Sequence, residues 1–276
     1  MCIRDRNIDY VGPEEVKEVL PGINEEGLLG GTYSPEDGSA SPLLAINSFY
    51  RKAASAGAEF RFGLHVEAIL CQKSRVVGVR AGSESFSTAV VVDTAGPFSR
   101  ALCGTVGVEV PVHADSHEAA ITEPVKNFFG CMVVDLRPGP GSKNFYFYQN
   151  RRGQVVFCIT PDPPILGTDK RETSVFLPQV SARMVGLLPR LKNLRVRRVW
   201  RGLYPMTPDG SPIVGWNRDI EGLLHATGMC GQGFMLGPGI GELVARMIRG
   251  ETTENDEVIL EEFSPYRQFA GQEALK

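Results

Sequence analysis

The sequence lacks most of the features that advertise a function. Its 276 residues hold two Trp and four His. None of the six cysteines forms a CxxC pair, and no His lies at metal-ligand spacing from them. That argues against a zinc site and for reduced, mostly buried thiols in a cytoplasmic protein. Basic excess is absent too: the net charge is −3. Nucleic-acid binding rests on phosphate neutralisation, so it is not expected. The basic set Arg195, Arg197, Arg198 and Arg201 reads as a solvated strand edge. The longest uncharged stretch, Gly222–Gly241, has seven glycines among twenty residues, so no membrane span is expected. Met1–Arg6 is charged and no apolar run follows, unlike a secretory signal. It reads as an arbitrary, foreign start.

What is abundant is glycine, 31 residues against a usual share of roughly 7%. With 42% hydrophobic residues and no Gly-X-Y period, the chain is globular. Glycine serves where φ must be positive or where a ligand approaches the main chain.

The patterning is α/β at both ends. Pro13–Leu20 predicts a short helix, Gly27–Tyr33 a strand, and Pro42–Ala56 a helix with Leu43, Ile46, Tyr50 and Ala53 at helical spacing. Glu59–Phe62 alternates, and His65–Gln72 and Arg75–Ala81 read as strands. Ser85–Asp93 reads as one strand whose Ala89–Val92 run suits burial on both faces. A helix is expected to follow to Cys103.

Residues 106–205 alternate in shorter segments: Glu109–Ala114, Glu118–Thr122, Cys131–Asp135, Asn144–Gln149, Gln154–Thr160 and Arg195–Leu203, with a helix at Leu177–Leu188. That is an antiparallel α+β pattern. Strands at Ser211–Val214 and Leu223–Thr227 precede a helix from about Pro238. Its stripe Ile240, Leu243, Val244, Met247 and Ile248 should be buried. Glu251–Lys276 is polar and reads as peripheral.

Between Gly228 and Gly241 six of fourteen residues are glycine, after a strand and before a helix. A Rossmann phosphate loop does not suit so late a position, because no second strand with an acid follows. The position suits a turn that lets backbone approach a flat ligand, with a helix N-terminus aimed at its electron-rich edge. A glycine-rich packing corner is the plainer alternative.

Trp200–Gly215 together with this cluster resembles the C-terminal part of the D-amino-acid oxidase superfamily of FAD-dependent oxidoreductases, in particular the sarcosine oxidase and proline dehydrogenase β-subunits. Tyr33–Gly38 with Pro42, Val90–Gly96 and Val110–Pro124 match further family segments in order, from roughly Gly30 to Gly250. The resemblance implies an α/β FAD-binding domain over 30–105 and 206–260, lacking the family's N-terminal GxGxxG unit. An antiparallel α+β substrate domain over 106–205 is inserted in it, and 1–29 is a remnant of the region that would precede.

The resemblance also implies site residues. Val66 contacts the adenine side, Ala95 and Gly96 line the cofactor, and Gly228, Gly231, Gln232, Gly233, Phe234 and Met235 cover the flavin. Where D-amino-acid and glycine oxidases carry a carboxylate-clamping Arg, this chain has Tyr204. Arg201 is a candidate replacement, though it reads better as an exposed strand residue. Tyr204 and Tyr148 are the candidates for contacting substrate. Gly202 stands where some relatives attach flavin through Cys, so the FAD is expected to be noncovalent. Cys230 reads as a packing residue, His65 and His225 as structural. His113 and His117 share a strand face with no evident partner acid.

The implied reaction is oxidation of a C–N bond in an amino acid or secondary amine, with oxygen or an electron-accepting partner subunit as the sink. A non-catalytic flavoprotein-like subunit of a hetero-oligomer is the alternative.

Overall fold

The computed structural model describes residues 7–271. Cys2 and the reading of Met1–Arg6 as foreign lie outside them. In chain order the elements are β1 (Asp9–Val11), α1 (Pro13–Val19), β2 (Gly31–Tyr33), α2 (Pro42–Ser55), β3 (Val66–Gln72), β4 (Arg75–Ala81), β5 (Glu84–Ser87), β6 (Val91–Asp93) and α3 (Ser99–Gly104). Next come β7 (His113–Pro124), β8 (Met132–Asp135), β9 (Ser142–Gln149), β10 (Gln154–Pro161), α4 (Phe176–Leu187) and β11 (Val196–Met206). The chain closes with β12 (Ile213–Trp216), β13 (Leu223–Thr227), α5 (Gly233–Arg249) and α6 (Glu254–Glu262).

The largest sheet is five-stranded and antiparallel, in the order β11-β7-β10-β9-β8. Strand alternation puts Phe145, Phe147, Val155, Phe157 and Ile159 on one face, where they bury against Phe176, Val180, Met184 and Leu187 of α4. Each buried Phe contributes about 1.5–3 kcal/mol, so this face fixes the register. Leu20 and Ile23, just after α1, join the same core, and Asn24 N–H donates to the Leu187 carbonyl. The opposite face carries the lining of the candidate site.

A second sheet, β12-β13-β6, pairs β13 antiparallel to β12 and parallel to β6. Helix α5 covers it with Ile240, Leu243 and Met247, and α6 adds Leu260. A third sheet, β3-β4-β5, joins the second in one core through Ile69, Val76, Ile213 and Leu223.

Several expectations change. Ala89–Val92 is not a doubly buried strand: β6 covers only Val91–Asp93, is half-buried at both valines, and pairs on one side only. Ser85–Asp93 is therefore two strands, β5 and β6. Glu59–Phe62 is not a strand; Phe60 and Phe62 instead stack on each other, with Phe60 edge-on and Phe62 tilted against Tyr50 of α2. The expected segments at Glu109–Ala114 and Glu118–Thr122 merge into the single long β7, which pairs with β11 along its length.

Helix α2 forms, but buries none of its residues; Leu43, Leu44, Ile46 and Phe49 are all exposed. The stripe of α5 loses Ile248, which is exposed. The polar tail is not peripheral. Within α6 Asp256 is buried and accepts two bonds from Arg246 (2.8 and 2.6 Å), and Arg267 pairs with Asp209 at 2.8 Å with both side chains almost covered. Among the described residues no helix is long and apolar enough to cross a membrane. The five cysteines described are free thiols, with Cys103, Cys158 and Cys230 buried.

Candidate active site

The glycine turn and the open face of the large sheet meet at one point, Tyr204–Pro205 at the end of β11. On the turn side, β6 and β13 run parallel, and their C-terminal ends carry Ala95–Gly96 and Gly228. In α/β folds ligands sit beyond this end of a parallel pair. Gly96 takes φ +55 and its α-carbon faces Pro205. Gly228 takes φ +68, and a Cβ there would lie 2.5 Å from Thr207 Cγ2. Cys230, at φ +48, is the pin of the turn. Its N–H donates to the Pro205 carbonyl (3.1 Å), and its sulfur accepts from Thr207 N–H (3.2 Å).

Helix α5 begins directly at Gly233, five residues earlier than expected, with Pro238 in its second turn. The helix therefore starts on the turn itself. Gln232 at its N-cap makes no side-chain capping bond, and its carbonyl accepts from the Met235 and Leu236 N–H groups (3.0 Å each), so the positive end of the helix dipole lies at the turn. Phe234 and Met235 are exposed beside them. Backbone donors, small residues and open apolar side chains fit the electron-rich edge of a flavin ring. Val66 is not part of this group. It opens β3 in a different sheet, and among the described residues no hydrogen bond joins it to the turn.

On the sheet side, His117, Ala119, Tyr146, Tyr148, Val156, Cys158, Trp200, Gly202 and Tyr204 line a cavity of about 230 Å³. Tyr148 and Tyr204, both expected at the substrate, do share it. The hydroxyls of Tyr146 and Tyr204 are 3.4 Å apart. Burial raises the Tyr204 phenol to about 12 and the Tyr146 phenol further, so both remain neutral donors. Arg201 is excluded from the cavity by strand alternation. It lies on the other face, where its Nη1 donates to the Arg171 carbonyl at 3.0 Å. Among the described residues no Lys or Arg lines the cavity.

His117 corrects the reading that no partner acid exists. Its Nε2 is 3.1 Å from Asp115 Oδ2, and its ring stacks on Tyr204 with centroids 4.1 Å apart. His117 is 4% exposed and Asp115 7%. Burial pushes the Asp115 carboxyl up, but bonds from His117 and from the Ile165 N–H (3.0 Å) outweigh it and hold the group below the usual range. The signal was in the sequence: Asp115 and His117, two apart on a strand, share a face.

A second His–Asp pair lies beneath the glycine turn. Asp93 and His225 are each 1% exposed, with His225 Nδ1 3.5 Å from Asp93 Oδ2. Asp93 also accepts from Ser99 (2.9 Å), the Ala95 N–H (3.0 Å) and the Cys103 thiol (3.4 Å). Asp93, Cys103 and His225 together offer three donors that could surround a metal. The hydrogen bonds argue otherwise. Asn217 Oδ1 accepts from the Asp219 and Ile220 N–H groups (3.0 and 2.8 Å), which turns its amide N–H₂ toward His225 Nε2 at 3.3 Å. Nε2 is then the acceptor, and Nδ1 carries the proton it gives to Asp93. The pair is a closed structural bond, as expected for His225. His65, expected in a strand, is an exposed loop residue before β3.

The geometry agrees with comparison to known proteins. A family model described as FAD dependent oxidoreductase (DAO) matches residues 4–247, and the chain belongs to that family. Among solved structures, the chain is similar to L-proline dehydrogenase from P. horikoshii, at 28% identity and a TM-score of 0.84 over 94% of this chain and 68% of that one. It is similar in fold to glycine oxidase from Geobacillus kaustophilus (24% identity, TM-score 0.85, covering 96% and 69%). Iminodiacetate oxidase from Chelativorans sp. BNC1 is a further neighbour (23%, 0.80, covering 95% and 69%).

Proposed function

We propose that this chain oxidises the C–N bond of an amino acid or secondary amine of the proline, sarcosine or glycine type, using noncovalently bound FAD. The observation that carries the reading is the junction at Tyr204–Pro205. The glycine turn, from which α5 starts, packs against Pro205, and the preceding residue, Tyr204, lines the cavity. A flavin on the turn would therefore face an amine in the cavity.

In this reading Ala95, Gly96, Gly228, Gly231, Gln232, Gly233, Phe234 and Met235 line the flavin, and Val66 lies toward the adenine end. FAD, when bound, supplies the hydride acceptor. The chain's own residues position the amine. Tyr148 and Tyr204 wall the cavity, and the neutral Tyr146 and Tyr204 hydroxyls, hydrogen-bonded to each other at 3.4 Å, place a polar spot on that wall. The antiparallel sheet within 106–205 is read as the substrate domain, set into an FAD-binding domain made by 30–105 and 206–260.

The exposed face of α2 and the unpaired edge of β6 are read as the seat of a phosphate-binding βαβ unit with the family's GxGxxG turn. An isolated helix of this length is marginal in water, so α2 needs such a cover.

The test is purification of the protein with FAD and anaerobic addition of L-proline, sarcosine and glycine. Bleaching of the visible flavin band by at least one supports the reading; a band unmoved by all of them contradicts it. Acid precipitation should release the flavin into the supernatant. A dye-reducing reaction without peroxide would favour an electron-accepting partner over oxygen, in line with the similarity to a dehydrogenase.

A further inference from the structure

The cavity wall has a charge pattern that bears on which end of a substrate it receives. Among the described residues no Lys or Arg lines it, and strand alternation turns Arg201 away. Its formal negative charge is the Asp115 carboxylate behind His117. The groups facing His117 are Asp115 and the more distant His113 from its own strand, Tyr204 from β11, Tyr146 and Tyr148 from β9, and Cys158 from β10. Burial raises the Cys158 thiol to about 11 and keeps both buried phenols protonated, so none of these adds charge near neutrality. Tyr146, Tyr148, Trp200 and Tyr204 present aromatic rings, which attract cations. Such a wall suits an ammonium group and is a poor match for a carboxylate.

Hydrogen bonding sets what His117 can do there. Asp115 accepts at Oδ2 from Nε2–H, and its Oδ1 is occupied by the Ile165 N–H. In the neutral imidazole the lone pair is therefore on Nδ1. Among the described residues, Asp115 is the hydrogen-bond partner of His117.

We propose that the Asp115–His117 pair receives the nitrogen of a protonated amine substrate and removes its proton. This rests on the amine-oxidation reading and names the substrate class more narrowly: an amine that enters as a cation, with any carboxylate held elsewhere than on this wall. In the step one N–H bond of the ammonium breaks, and its electron pair stays on the substrate nitrogen. The proton bonds to His117 Nδ1, and the resulting imidazolium keeps Nε2–H on the Asp115 carboxylate. No electrons are exchanged. The neutral amine that remains can lose hydride to FAD, which a protonated amine cannot.

The test is anaerobic flavin reduction in the FAD-loaded protein, with L-proline and sarcosine and with pyrrolidine and dimethylamine, which lack a carboxylate. It is measured from neutral pH to above the amine pKa. His117→Gln keeps a polar side chain but cannot take up the proton. It is expected to slow flavin bleaching near neutrality by about 10²-fold. The deficit should shrink at high pH, where free amine is present in solution.

Asp115→Asn should show a smaller loss with the same recovery, and it stands in if the His117 variant does not fold. A deficit that is equal at every pH, or no deficit in either variant, overturns the proposal while leaving the oxidation reading intact. Wild-type flavin unmoved by all four amines takes both down. A carboxylate subsite on this wall would instead show as selective loss of proline and sarcosine, with pyrrolidine and dimethylamine unaffected.

Discussion

This protein holds two buried His–Asp pairs, and they differ in what lies at the second ring nitrogen. His225 is held on both sides, by Asp93 at Nδ1 and by the pinned Asn217 amide at Nε2. Among the described residues His117 has its hydrogen bond at Nε2, and its ring lines a cavity. The same two residue types thus serve as frame in one place and as available chemistry in the other. Burial and an acid partner alone do not separate the two roles; the bond at the far nitrogen does.

The largest expected break of this contrast is Asp93→Ala. It orphans donors on His225, Ser99, Cys103 and the Ala95 N–H in a sealed site, at about 1–3 kcal/mol for each donor left unmet. Urea unfolding should show a loss of several kcal/mol. His117→Gln, whose amide can still donate to Asp115, should cost less unfolding free energy than Asp93→Ala in the same urea titration and show its main effect on flavin reduction.

Gly228→Ala should cost about 1–3 kcal/mol, since φ is +68 and the new Cβ meets Thr207 Cγ2 at 2.5 Å. Stability in acid sharpens the contrast further. The carboxyls of Asp93, Asp115 and Asp209 are held below their usual range; in each, hydrogen bonds outweigh burial, which would raise them. A depressed folded-state pKa gives stability that is complete above the unfolded value of about 3.9 and is lost as pH falls through the folded one. The urea midpoint should hold from neutrality to about pH 5 and fall below pH 4, less steeply in Asp93→Asn and Asp115→Asn.

The smallest effect is Gly202→Ala. Its Cβ meets nothing within 4 Å, so stability should stay within about 0.5 kcal/mol, while the methyl group narrows the cavity and raises KM.

The sequence carried much of this. Most strands, the glycine turn and two of the three tyrosines of the cavity, Tyr148 and Tyr204, follow from period-2 alternation and from the ordered motifs around Trp200–Gly241. What it did not carry depends on neighbours. The Ala89–Val92 run reads as doubly buried, but β6 has a strand on one side only, and apolar composition does not report how many strands flank a segment. The tail after Glu251 reads as polar surface, yet two of its charges, Asp256 and Arg267, are largely buried in pairs with Arg246 and Asp209. Pro238 suggested a helix start, whereas α5 tolerates it within its second turn. The Asp115–His117 pair was within reach, because an i, i+2 spacing on a strand places both on one face. The Asp93–His225 pair was not, since it joins two strands brought together only by the parallel pairing of β6 with β13.

The account is tested most directly by the ¹⁵N spectrum of the histidines in the FAD-loaded protein, recorded with and without sarcosine in the absence of oxygen. The two buried pairs should show opposite neutral tautomers: Nε2–H at His117 and Nδ1–H at His225. Added amine should shift the His117 Nδ1 resonance and leave both nitrogens of His225 in place. The same tautomer at both, or a His117 Nδ1 indifferent to the amine, would contradict the division between frame and chemistry.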